Sequence, residues 1–172
     1  MWAEMWANYN YLGRKAYDTY RSRKGVMYFF YDKFTDRVRK VLDYANDEAR
    51  DRKNMLVNNG HILLGIIKEG NNIAFQILKN LNVDIDHLKT MLNQGLKTGH
   101  YFSHVQTVPL SPEARQTVLH AIEVGHTYNI ACHHLLLGLL HNKENKVYKI
   151  LTELGVTEEK ITEQVENLVI PK

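Results

Sequence analysis

NNGHILLGIIKEGNN, residues 58–72, is written a second time as CHHLLLGLLHNKENK, residues 132–146. His61 and His134 stand 73 positions apart, and after each come three aliphatic residues, a glycine, two more aliphatics and a polar break. Ile62, Leu63, Leu64, Ile66 and Ile67 in the first copy, and Leu135, Leu136, Leu137, Leu139 and Leu140 in the second, are too continuous for a one-sided surface helix. They predict a helix central to a core. Gly65 and Gly138 fall at the same point of that helix. A glycine inside a helix costs about 1 kcal/mol against alanine, so its double use predicts that a neighbouring helix comes close there.

The repetition extends in both directions. Ile77, Leu78, Leu81, Val83 and Leu88 recur at the same offset as Ile150, Leu151, Leu154, Val156 and Ile161. Asp84 and Thr157 read as N-caps, each preceded by a valine and followed four residues on by an aliphatic, the hydrophobic-staple spacing. Upstream, Thr35-Asp36 opens one apolar stripe (Val38, Val41, Leu42, Ala45, Ala49). Ser111-Pro112-Glu113 opens another (Ala114, Thr117, Val118, Ala121, Ile122), with cap, helix-starting proline and first-turn acid in order. Thr35 to His61 is 26 residues and Ser111 to His134 is 23. That difference is close to one helical turn, so the second copy needs a shorter first helix or first loop. The expected organisation is an extension over residues 1–32, then an all-α domain over 33–170. Within it lie repeat 1 at about 34–94, a polar linker at 95–109 and repeat 2 at about 110–168, some eight helices related by pseudo-two-fold symmetry, with a helical N-terminal extension ahead of them.

The charge is concentrated at one end. The net charge is +3, and residues 1–34 hold six basic residues against three acidic ones, which leaves the rest neutral. A neutral body argues against a nucleic-acid-binding fold. Eleven of the 17 aromatic residues also fall in 1–34. Trp2, Met5, Trp6, Tyr9, Leu12, Ala16 and Tyr20 share one helical face, with Arg14, Lys15, Arg21 and Arg23 at its sides. Trp2, Trp6, Tyr9 and Tyr20 are the candidate docking face for a protein partner. Packing on the domain's own surface is the plainer reading, and contact with a membrane surface the least favoured. The single cysteine, Cys132, excludes an internal disulfide, and together with the lack of a secretory-type leader it fits a cytoplasmic home.

FTDRVRKVLDYANDEAR…HILLGIIKEG…AFQILKNLNVD (from Phe34) and LSPEARQTVLHAIEVGHTYNIACHHLLLGLL…KILTELGVT (from Leu110) resemble the two repeats of the Clp N-terminal domain. That domain caps AAA+ unfoldases of the ClpC and ClpA type. The resemblance covers about residues 33–168. It implies an eight-helix, non-catalytic domain that binds client proteins, adaptors or Clp subunits. In an accessory protein built of little else, it implies a modulator of a Clp unfoldase–protease. No G-x-x-x-x-G-K-[ST] is present, and GLKTG at Gly95–Gly99 cannot form a phosphate-cradling loop, so no nucleotide or other cofactor is expected. The family also implies two phosphoarginine sites. A glutamate before each repeat's histidine holds the guanidinium, and the N-terminus of the same repeat's first helix takes the phosphate. Thr35 and Ser111 match the phosphate side. Gly60 and His133 stand where the glutamates would be, and neither supplies the carboxylate that a guanidinium needs. At low pH an imidazolium at His133 would repel it. Loss of phosphoarginine recognition is therefore expected.

Two other chemistries merit weighing. Cys132, His133 and His134, with His126 and His141 near, have metal-ligand chemistry, but three adjacent residues at a helix start cannot converge on one ion. His134 matches His61 in a copy without cysteine, which makes it a structural histidine. His100 and His104 lie in the linker and read as solvated. A cysteine nucleophile would need a histidine and an orienting acid, and nothing in the sequence marks that arrangement. No metal and no enzyme are expected. The alternative to a Clp-system module is an interaction protein that keeps the fold in an unrelated system.

Overall fold

The computed structural model describes residues 32–100, 107–126 and 129–169. The aromatic, basic segment and its proposed docking face of Trp2, Trp6, Tyr9 and Tyr20 lie outside the described residues. Among the described residues there are eight α-helices: α1 Asp36–Asp51, α2 Asn59–Glu69, α3 Ile73–Asn80, α4 Ile85–Gly95, α5 Pro112–Val124, α6 Cys132–His141, α7 Lys146–Glu153 and α8 Glu158–Val169. No strand occurs among them, only two isolated β-bridges.

The helix starts follow the caps read from sequence. Thr35 Oγ1 accepts the Val38 amide at 3.5 Å, and Ser111 Oγ accepts the Ala114 amide at 3.1 Å. Asp84 caps α4 through the amides of Asp86 and His87, both at 3.0 Å. Each satisfies donors that a helix start leaves unpaired. α1 has 16 residues and α5 has 13, while the loops after them, 52–58 and 125–131, are equal in length. The three-residue difference between the copies therefore lies in the first helix.

Both predicted stripes are buried in full: Val38, Val41, Leu42, Ala45 and Ala49 on α1, and Ala114, Thr117, Val118, Ala121 and Ile122 on α5. α2 and α6 are central. Each packs on its own repeat's first helix and also reaches across, α2 to α5 and α6, and α6 to α1 and α3. Every aliphatic of the repeated motif is buried except Leu137, which is half-buried. The two glycines are the crossing points. A methyl group on Gly65 would overlap the Val41 carbonyl oxygen, and one on Gly138 would overlap that of Thr117. Each admits the backbone of its repeat's first helix to van der Waals contact.

The bridges tie the repeats together reciprocally. Phe34 pairs with Ile130, and Val57 pairs with Leu110. The segment leading into α1 thus lies beside the one leading into α6, and the segment leading into α5 lies beside the one leading into α2. The bonds are Thr35 N–H to Ile130 O (3.0 Å), Val57 N–H to Pro109 O (2.6 Å) and Ser111 N–H to Val57 O (2.8 Å). This exchange is the pseudo-two-fold relation expressed in hydrogen bonds.

Candidate functional site

The bridges decide which helix starts meet. The resemblance placed each phosphate-binding start with the guanidinium-binding position of its own repeat, Thr35 with Gly60 and Ser111 with His133. The structure pairs them the other way. Arg37, two residues after Thr35, bonds Glu69 at the far end of α2. Gly60 is nine residues before Glu69 on that helix, about 13 Å away along its axis. Thr35 instead sits beside Ile130, at the start of α6 and His133, while Ser111 sits beside Val57, at the start of α2 and Gly60. The physical reason is that α1 and α2 cross near their middles, at Gly65, and this separates their N-termini.

At the α1–α6 junction, Ala131 offers no side-chain cap to α6. His134 Nδ1 accepts the Ala131 amide at 3.0 Å, as His61 Nδ1 accepts the Asn58 amide at 3.0 Å in the other copy. Both motif histidines thus bind their own helix start. Because His61 Nδ1 accepts, its Nε2 carries the proton and donates to Asn54 Oδ1 at 3.0 Å. His61 is fully buried, and burial, with the Arg52 charge adding, lowers its pKa to about 4. Burial, and then the neighbouring His134 ring, likewise bring His133 to about 4. His133 is therefore neutral at ordinary pH, and the expected imidazolium arises only near pH 4. Its Nδ1 is buried without a partner.

Glu69 places a buried carboxylate at this junction, but the carboxylate is engaged. Burial works to raise its pKa. Hydrogen bonds from Asn72, Arg37 and the Asn71 amide, with the Arg37 charge, outweigh that and hold it below the usual range. Cys132 lies beside this pair. Burial, then the Glu69 charge, push the thiol up to about 12, against a smaller opposing effect of Arg37. A thiol so protonated and only 1% exposed is no nucleophile. The rings of His133 and His134 are 3.9 Å apart and tilted, and those of His120 and His141 are stacked at 3.8 Å. Among the described residues no group of three or more His, Cys, Asp or Glu could hold a metal ion.

The α2–α5 junction is the more open one. Asn58 Oδ1 caps α2 through the amides of Gly60 (3.0 Å) and His61 (3.3 Å). Gly60 is buried, and a Cβ there would come within 2.9 Å of Leu96 Cδ2. The side chain missing from residue 60 is thus replaced by a leucine from the end of α4. A groove of about 190 Å³ opens here between α2, α4, α5 and α7. Its apolar walls include Leu92, Leu96, Val147 and Ile150, and Glu113 and Lys146 supply its charges. Asn59, 2% exposed, also lines it. Thr117 Oγ1 donates to Asn59 Oδ1 at 3.0 Å, and Asn59 Nδ2 has no partner. Glu113, Lys146, Asn59 and Leu96 were absent from the sequence-derived site. One signal was available: position two after the cap is Arg37 in the first copy and Glu113 in the second, a reversal of charge.

Two four-helix units that exchange their leading segments, with helix starts gathered at both junctions, define an all-α double-repeat domain. The chain belongs to the Clp repeat (R) N-terminal domain family, whose sequence profile matches residues 33–129. It is 32% identical to the chaperone protein ClpC2, chloroplastic, of Oryza sativa subsp. japonica over 165 residues, 91% of this chain and 18% of that protein. Solved structures share the fold. The Hsp104 N-terminal domain from Candida albicans is 20% identical, with a TM-score of 0.65 over 81% of this chain and 93% of that one. The N-terminal domain of the caseinolytic protease associated chaperone ClpD from Arabidopsis thaliana is 20% identical, with a TM-score of 0.63 over 81% and 99%. The chain thus spans under a fifth of the ClpC2 length and nearly the whole of each isolated N-terminal domain. A chloroplast relative lends no support to a cytoplasmic home. Among the described residues, no helix is long and apolar enough to cross a membrane.

Proposed function

We propose that this chain is a non-catalytic protein-binding module that works as an accessory or regulator of a Clp unfoldase–protease, binding client proteins or Clp subunits. The observation that carries the reading is the match over nearly the full length of solved Clp-type N-terminal domains. The buried, protonated Cys132 thiol adds support, since it removes the one nucleophilic side chain the motif region offered. The proposed domain spans residues 33–170. In this reading residues 1–32, with the face of Trp2, Trp6, Tyr9 and Tyr20, add a second contact for the partner.

Affinity capture of the full chain from its native cells, read by mass spectrometry, tests this. Clp ATPase or peptidase subunits should be enriched over a control bait, and the purified chain should show no nucleotide turnover. Removing residues 1–26 should leave the helical circular-dichroism signal intact while reducing that capture severalfold. Recovery of an unrelated assembly with no Clp subunit would replace the reading with that of an interaction protein in another system.

A further inference from the structure

We infer that the α2–α5 groove binds an unmodified peptide segment in which a basic side chain neighbours an aliphatic one, with Glu113 as the residue that selects the base. The inference rests on the reading of the chain as a protein-binding module and names the ligand chemistry of one surface of it.

Size comes first. At about 190 Å³ the groove is below the 300–1,000 Å³ usual for small-molecule sites. It holds a side chain rather than a cofactor. Leu92, Leu96, Val147 and Ile150 make the walls apolar, which calls for an aliphatic group.

Charge comes second. In the first repeat, Arg37 is paired to the buried Glu69. The second repeat has Glu113 and Asn142 at the matching positions, so the pair has no counterpart there. Glu113 is exposed on the first turn of α5, and no described residue forms an ion pair with it. A carboxylate beside apolar walls is complementary to the guanidinium or ammonium of a basic side chain whose stem packs along those walls. Glu113 and Lys146 are the two charges of the groove, and a phosphorylated arginine would bring its phosphate against Glu113 as well as Lys146, a repulsion from the carboxylate that the unmodified base does not meet.

The floor gives a third indication. Asn59 leaves one amide atom unpaired. Turning its amide round, so that the nitrogen donates to Thr117 and Thr117 donates to the Gly138 carbonyl at 3.4 Å, only exchanges which atom is left. A buried polar atom without a partner is a cost that a ligand can remove. A peptide backbone carries both a donor and an acceptor, so it meets either orientation.

The test is fluorescence anisotropy on the full chain, with a fluorescein-labelled peptide carrying a Leu-Arg-Leu core. Versions with Lys, Gln, Glu or phosphoarginine in place of the Arg are titrated beside it. The Arg and Lys peptides should bind. The Gln peptide should bind about 10- to 100-fold more weakly, the loss expected for one charge-assisted hydrogen bond. The substitution Glu113→Gln should weaken the Arg peptide by a similar factor. In Glu113→Lys the preference should reverse toward the Glu peptide, a gain that mere damage to the fold cannot produce. Equal binding of the Arg and Gln peptides, tighter binding of the phosphoarginine peptide, or no reversal in a Glu113→Lys protein that melts normally would each overturn the inference. So would a dimer, seen in sedimentation, that Glu113→Lys abolishes, since the groove would then be filled by a second copy. If capture of Clp subunits persists in Glu113→Lys while no peptide shows a preference for the base, the groove assignment fails and the module reading stands. If capture and peptide binding are both absent from the unmodified chain, the module reading has failed with it.

Discussion

Replacing Gly65 or Gly138 with alanine will destabilise the domain by about 1–2 kcal/mol, although alanine is the better helix former. On an exposed helix face the exchange would gain about 1 kcal/mol. Here the added methyl would overlap a backbone carbonyl oxygen, of Val41 in one repeat and Thr117 in the other. A side-chain tip can rotate away, but a helix backbone moves only by parting the crossing. Forced overpacking of this kind typically costs about 1–3 kcal/mol, which outweighs the gain in helix propensity. For a domain of this size the loss corresponds to a melting temperature lower by roughly 3–8 °C. Gly95→Ala is the control. The nearest atom to a Cβ there is Lys146 Cδ at 3.9 Å, so that variant should match or slightly exceed the parent. Thermal melts that show Gly65→Ala or Gly138→Ala as stable as Gly95→Ala would refute the close-crossing account.

The second large effect is acid sensitivity. His61 is buried as a neutral ring bonded at both nitrogens, with a pKa of about 4 against an ordinary 6.5, and His133 shifts to a similar value. His134 and His120 are lowered as well, both chiefly by burial. Below pH 6.5 the unfolded chain takes up protons that the folded one refuses, so stability is complete above about 6.5 and falls as the pH drops toward 4. His61 alone contributes a loss of about 2–3 kcal/mol over that span, a large share of the 5–15 kcal/mol typical of a domain. Glu69, whose pKa is lowered, adds loss in the same direction at still lower pH. The carboxyl of Asp43, an exposed residue, is raised by partial desolvation and then by the Asp47 charge, and opposes it weakly. Urea midpoints at pH 7.0, 5.5 and 4.5 should decline steadily. His61→Leu should start lower, because it leaves the Asn58 amide and Asn54 Oδ1 without their partner, and it should decline less. A midpoint for the parent that stays level down to pH 4.5 would contradict the assignment.

The fold was readable because its evidence is periodic and was written twice. The stripes of α1 and α5 follow from 3.6-residue spacing, the caps from Thr35, Ser111 and Asp84, and the crossings from two glycines that no surface role explains. The site was less readable. Periodicity says which face of a helix turns inward but not which other helix start lies beside its own. The exchange that sets Thr35 by Ile130 and Ser111 by Val57 rests on three backbone bonds between segments far apart in sequence, and backbone groups leave no mark on the residue pattern. Glu113 was visible, but only as a first-turn acid favourable to the helix dipole. Its place at a groove needed Leu96 and Lys146, contributed by α4 and α7.

The reciprocal bridges also bear on what a single repeat amounts to. Cut after residue 95, the first half would keep its α1–α2 crossing but would lose the Ile130 and Pro109 carbonyls that accept its Thr35 and Val57 amides. Another copy of the same half carries the equivalent edges, in Val57 and Phe34, and the two-fold relation would let two halves serve each other. In this sense the domain is a homodimer made covalent. The linker holds each half at a high effective concentration of the other and spares the translational and rotational entropy that two free halves would lose on meeting. Once the halves are tethered they no longer need to stay alike. One junction can keep an internal Arg37–Glu69 pair while the other opens a groove with an unpaired acid, an asymmetry that an assembly of identical subunits could not hold.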